Sequence, residues 1–172
     1  MKEHVIYKTY GFLTSKEIES FKKDIQANRI ADGEEELTED QLTDAVYEDV
    51  NNSYEYEVEN LDRELDGKIL AVASLGLWNG RKTGYKILGS NLKEVVSSFG
   101  CDDVKIYVKG SNIYFEGRHH DGTNYIEFRE IKNADNIDNL TNKLYAGESV
   151  SRSQLNYYTK PLGKHVKEIY GF

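Results

Sequence analysis

Four residue types with strong structural consequences are scarce in this chain: its 172 residues include one cysteine, one proline, one methionine and one tryptophan. A lone Cys101 excludes an internal disulfide framework and any zinc site built from several cysteines. It also lacks the local histidine signature that marks a cysteine nucleophile. Long apolar runs are missing too. The longest, ILAVASLGLW at 69–78, is half of what a membrane helix needs, and the opening MKEHVIYKTYGF holds no apolar signal core. The expectation is a cytoplasmic protein with no membrane partner. Internal repeats and low-complexity segments are absent as well.

Positive charge is nearly absent between Asp32 and Asp66, where 15 acids face a single basic residue, Arg63. Residues 1–66 hold 19 acids and 7 bases, net −12, whereas residues 67–172 hold 11 acids and 15 bases, net +4. The first region would therefore repel nucleic acid and attract a basic protein surface. Glu34, Glu35, Glu36, Glu39 and Asp40 are the residues expected to bind such a partner.

Two helix starts in this region are explicit. Thr14 with Glu17, and Thr38 with Gln41, have the capping-box spacing, and Leu13/Ile18 and Leu37/Leu42 are placed as hydrophobic staples. The first helix continues through Ile18, Phe21 and Ile25, the second through Leu42, Ala45, Val46 and Val50. Both stripes are narrow, so this pair must lie against the rest of the chain or a partner. In 51–67, Tyr54, Tyr56 and Val58 alternate with acids and read as a short acidic strand or extended arm.

From Lys68 the period is that of sheets. Asn79-Gly80 between two strand-like runs predicts a hairpin, and NLKEVVSSFG predicts a helix capped by Asn91 and stopped by Gly100. Three strands follow, at 104–109, 112–119 and 123–131, joined by turns at Gly110-Ser111 and Asp121-Gly122. The first turn pairs Val108 with Ile113, Tyr107 with Tyr114, Ile106 with Phe115 and Lys105 with Glu116. The second pairs Arg118 with Tyr125, Glu116 with Glu127 and Phe115 with Phe128. Val104, Ile106, Val108, Ile113, Phe115, Ile126 and Phe128 then form one apolar face. The tail reads as helices near 135–145 and 152–158 and a short basic helix with Pro161 at its first position. The fold class is α+β: an acidic helical region over 1–66, then an antiparallel sheet domain over 67–172 with hairpin, helix, three-stranded meander and terminal helices.

The expected register sets Glu116 directly against Glu127 on the polar face, flanked by Lys105, Arg118 and Arg129. Two like charges about 5 Å apart repel unless a cation or proton intervenes. That pair, with His120 as acid/base and Arg118 as phosphate clamp, is the material of phosphodiester cleavage, and a divalent metal is one option for it. The alternative is a solvated ladder of ion pairs. His119 and His120 point to opposite faces and cannot both ligate one ion without a bulge. The stretch LGLWNGRKTGYK lacks the spacing of a phosphate-binding P-loop. Its Arg81, Lys82 and Lys86, with Lys105 and Arg129, are candidate RNA contacts, and Trp78 and Tyr85 could stack on single strands. The alternative makes Trp78 core and these cations a solvated tip.

With LGLWNGRKTGYK and GRHHDGTNYIEFRE in place, residues 68–131 resemble small proteins of phages, plasmids and integrative elements of Gram-positive bacteria, some of which are similar to type II anti-CRISPR proteins. The resemblance implies an inhibitor of a CRISPR effector nuclease in the bacterial host cell, with the effector and its guide RNA as partners. In the longer sort it implies guide-RNA truncation, hence possible ribonuclease activity; in the shorter sort, interference with guide loading. A regulatory or interaction module built on the first two helices is the alternative.

Overall fold

The computed structural model describes residues 2–65, 69–76, 82–89, 92–120, 122–132, 135–146 and 149–172. The chain opens with a strand the sequence reading did not identify, β1 (Glu3–Lys8), followed by a single 3-10 turn at Tyr10–Phe12. Helices α1 (Ser15–Ala31) and α2 (Glu39–Asn52) begin at Thr14 and Thr38. In each, the threonine hydroxyl accepts the third amide while Glu17 or Gln41 reaches back to the cap amide.

Residues 54–65 are helical, α3 (Tyr54–Leu65), which corrects the reading of 51–67 as a strand or arm. The alternation of Tyr54, Tyr56 and Val58 misled: Tyr56 is 64 % exposed, whereas Val58, Leu61 and Leu65, spaced three and four apart, are buried. That is the helical period. After it come β2 (Ile69–Gly76), β3 (Lys82–Gly89), α4 (Leu92–Ser98), β4 (Asp103–Lys109), β5 (Asn112–His119) and β6 (Gly122–Ile131). The tail supplies α5 (Asp135–Ala146), β7 (Ser149–Val150), α6 (Arg152–Tyr158), β8 (Thr159–Pro161) and α7 (Gly163–Tyr170). Pro161 therefore ends a short strand beside Arg129 rather than starting a helix. The Asn79-Gly80 turn, Trp78 and Asn91 lie outside the described residues.

The strands form one antiparallel sheet in the order β1-β4-β5-β6-β2-β3-β7, with β8 continuing alongside β6. The β4–β5 register is the expected one, from Val108–Ile113 to Lys105–Glu116, with Gly110 at φ +61° in the turn. The β5–β6 register is displaced by two residues: Phe115 pairs with Ile126, Glu116 with Tyr125 and Tyr114 with Glu127. His119 and Gly122 close this hairpin, and Gly122, at φ +142°, meets its glycine requirement as the first residue of β6 rather than inside the turn.

A displacement of two keeps every side chain on its own face. All seven residues expected on the apolar face are buried, covered by Val58, Leu61 and Leu65 of α3, by Leu92, Val95 and Val96 of α4, and by Leu162 and Val166 at α7. The acidic first region and the remainder of the chain thus share one core, and β1 extends the sheet beside β4. On the opposite face, α5 and α6 close a smaller cluster of Ile87, Leu140, Val150 and Leu155.

Helix α4 borrows its cap. The Asp62 carboxylate of α3 accepts from the amides of Leu92 and Lys93, at 3.0 Å each. Burial pushes the Asp62 carboxyl above its usual range, against the lowering effect of those two amides. Asp62→Ala should cost about 1–2 kcal/mol, read as a lower urea midpoint. Asp44→Ala, at an exposed position of α2, should leave stability within about 0.5 kcal/mol.

Candidate functional site

The polar side of the meander follows from the register. Across the sheet, Val5, Tyr107, Tyr114 and Glu127 form one row, and Lys8, Lys105, Glu116 and Tyr125 form the next. Glu116 and Glu127 are therefore diagonal neighbours, each with a tyrosine across from it. The expected direct opposition is corrected, because it required both turn residues of the second hairpin one position further along.

Each carboxylate has its own cations, and they draw the two apart. Glu116 faces Lys105 at 3.4 Å, and Lys105 also reaches Glu3 at 3.3 Å and lies 4.5 Å from the Tyr107 ring centre. Burial, with Glu116 and Glu3 nearby, pushes the Tyr107 hydroxyl up to about 12. Glu127 turns the other way. One oxygen meets Arg129 at 2.7 Å and the other Arg152 of α6 at 3.2 Å. Arg129 is 2 % exposed; its Nε donates to Thr159 Oγ1 at 2.8 Å and its Nη2 to Asn156 Oδ1 at 3.0 Å. An arginine so buried is out of reach of RNA, which corrects its place among the RNA contacts. Sequence reasoning missed Arg152, Asn156 and Thr159, whose approach depends on β8 and α6 folding back along β6.

Arg118, the expected phosphate clamp, lies 4.0 Å from the Phe12 ring centre and donates to the Gly11 carbonyl at 3.1 Å. It holds the 3-10 turn to the sheet. Asp103 secures the same turn, accepting from the Gly11 amide and the Thr9 hydroxyl at 2.8 Å each, and a Cβ at Gly11 would strike that carboxylate. His120 is exposed, and its ring lies tilted against that of His119, with centroids 3.9 Å apart. His119 in turn borders a small cavity with Phe99, Thr123 and Asn124. The positions of Arg81 and of the Lys82 and Lys86 side chains fall outside the described residues. Cys101 is half-buried, and burial raises its thiol pKa, the wrong direction for a nucleophile. Among the described residues no group of three or more His, Cys, Asp or Glu side chains is arranged to hold a metal.

The acidic helices are arranged differently. Glu34, Glu35, Glu36, Glu39 and Asp40 are all exposed around the α1–α2 connection. Glu34 pairs with Arg29 at 2.7 Å and Glu39 with Lys22 at 3.2 Å. Among the described residues, Glu36, Asp40, Asp44, Glu48 and Asp49 have no cationic partner. Asp40, Asp44 and Glu48 recur every fourth residue of α2, a line of carboxylates about 6 Å apart along the axis.

The chain matches no protein-family model, no curated protein and no solved structure. Among the described residues no helix is long and apolar enough to cross a membrane.

The two glutamates should respond unequally to removal. Glu127→Ala leaves Arg129 buried without its carboxylate and should cost about 3 kcal/mol or more. Glu116→Ala leaves Lys105 with its second carboxylate, Glu3, and should cost about 1 kcal/mol. Denaturant melts of the two variants check this; equal losses would contradict the separate networks.

Proposed function

We propose that this protein is a steric inhibitor that docks through its acidic helices on the basic, nucleic-acid-binding surface of a partner protein. The resemblance of residues 68–131 makes a type II CRISPR effector carrying its guide RNA the partner to test. The observation that carries the reading is the line of unpaired carboxylates on α2, continuous with the exposed acids at 34–40. A repeat of single negative charges along a rigid rod offers a cationic groove what a phosphate backbone offers it, and charge of this kind governs both encounter rate and salt dependence.

The reading is steric rather than hydrolytic because the glutamates that cleavage requires are held in separate ion-pair networks. General acid/base work on a phosphodiester needs both groups within reach of one reacting centre. Here Glu127 is pinned between two guanidiniums and Glu116 beside a lysine. Guide truncation would have to be performed by other groups or by the effector itself.

The test mixes the protein with a type II effector, end-labelled guide RNA and target DNA, with and without chelator. The expected result is spared target with intact guide. A variant carrying Glu34→Gln, Glu35→Gln, Glu36→Gln, Glu39→Gln and Asp40→Asn should bind about tenfold or more weakly at low salt, with a flatter salt dependence. Shortened guide would overturn the steric reading in favour of cutting. Normal target cleavage across several effectors would overturn the choice of partner.

A further inference from the structure

Strand β1 is the outer strand of the sheet, so among the described residues one side of its backbone faces no other strand. An open strand edge is a template for pairing, and proteins commonly blunt it with charge, proline or a covering element. Here the element beside it stands off. A groove of about 340 Å³ separates β1 from α1.

Val5, Ile6, Tyr7 and Lys8 all line that groove. Val5 and Lys8 sit opposite Tyr107 and Lys105 on one face of the sheet and Tyr7 opposite Ile106 on the other, so a cavity touching all three lies along the strand's edge, where the backbone itself is within reach. The far wall is Glu17 and Phe21, four residues apart and hence on one face of α1, with Leu13 just ahead of the helix cap. Lys8 meets Glu17 at 2.7 Å, which fixes α1 alongside the strand. The C-terminal end of α2 closes the trough through Asp49 and Val50, and the Tyr7 hydroxyl donates to the Val50 carbonyl.

Two further observations define what fits. Val5 and Phe21, on opposite walls, are each 41 % exposed, and of the α1 stripe Ile18 and Ile25 are only half-buried. Among the described residues the only cation lining the groove, Lys8, is already paired, whereas Asp49 has no cationic partner. The walls are apolar, and the one unpaired charge among the described lining residues, Asp49, is negative.

We propose that this groove receives an extended segment of a partner protein, which adds a strand to β1 and alternates apolar residues with lysine or arginine. The apolar side chains lie between Val5 and Phe21, and the basic ones face Asp49. Main-chain pairing supplies affinity and the alternation supplies selectivity. The proposal rests on the docking reading above only in taking the partner to be a basic protein.

The test is selection of phage-displayed random short peptides on the full-length chain, followed by synthesis of the enriched peptides. The expected peptides alternate apolar and basic residues, slow hydrogen exchange at β1 amides, and bind Phe21→Asp roughly tenfold or more weakly. Binding to Tyr56→Ser, altered on the exposed side of α3, should be unchanged. Overturning results are no enrichment, acidic peptides, unchanged binding to Phe21→Asp, or no protection at β1. Peptides that pass these tests on a chain that inhibits no effector support the groove and overturn the effector assignment alone. Inhibition that persists in Phe21→Asp, with no peptide enriched, does the reverse.

Discussion

The apolar face of the β4–β5–β6 meander is the constraint from which the rest of the structure follows. Seven large side chains project from three adjacent strands to one side, and none of them is more than 4 % exposed. No single element of the tail is long enough to cover that area. The covering layer is therefore assembled from distant parts of the chain: α3 from the acidic region, α4 from between the strands, and α7 from the end. Burial magnitudes explain why so acidic a segment as α3 is recruited. A like-charged pair one helical turn apart costs about 0.3 kcal/mol, whereas each of Val58, Leu61 and Leu65 gains about 2 kcal/mol when buried. Packing wins, and the surplus charge is left on the outer side of the helix.

That result divides the molecule in a way its composition only half expresses. Net charge changes sign near residue 66, and this looks like a domain boundary. The packing crosses it twice, through β1 on the sheet edge and α3 in the core. What the charge boundary marks is a difference of surface. Among the described residues, central cations of the second part are used inside the fold: Lys105 on Glu116 and Glu3, Arg118 on the 3-10 turn, Arg129 in its buried network. The negative residues of the first part are mostly left in water. Excess charge that secures nothing within the chain is the kind available to a partner.

The features legible from the sequence were those written in local chemistry. Capping boxes at Thr14 and Thr38 need only four residues each to be recognised, and the β4–β5 hairpin needs only its turn and two alternating strands. The features that were not legible depend on distant parts of the chain. Strand β1 is interrupted between Val5 and Tyr7 by an irregularity that breaks the alternation by which a strand is recognised. The cap of α4 comes from Asp62, thirty residues before it. Arg129 looked like one more surface cation, because nothing near it in sequence announces that Thr159, Asn156 and Arg152 will close over it.

The β5–β6 register shows why a fold can be legible while its site is not. Side chains alternate with period two, so a strand displaced by two residues buries the same set and exposes the same set; the hydrophobic pattern constrains parity and nothing finer. Absolute register then depends on the turn, where Gly122 satisfies its positive φ equally well as a turn residue or as the first residue of the strand. The core is indifferent to that choice. The polar face is not: one register places Glu116 against Glu127, and the other gives each a tyrosine opposite and its own cations. Whether the protein holds a pair of interacting carboxylates or two neutralised ones thus depends on where a single glycine sits in its hairpin.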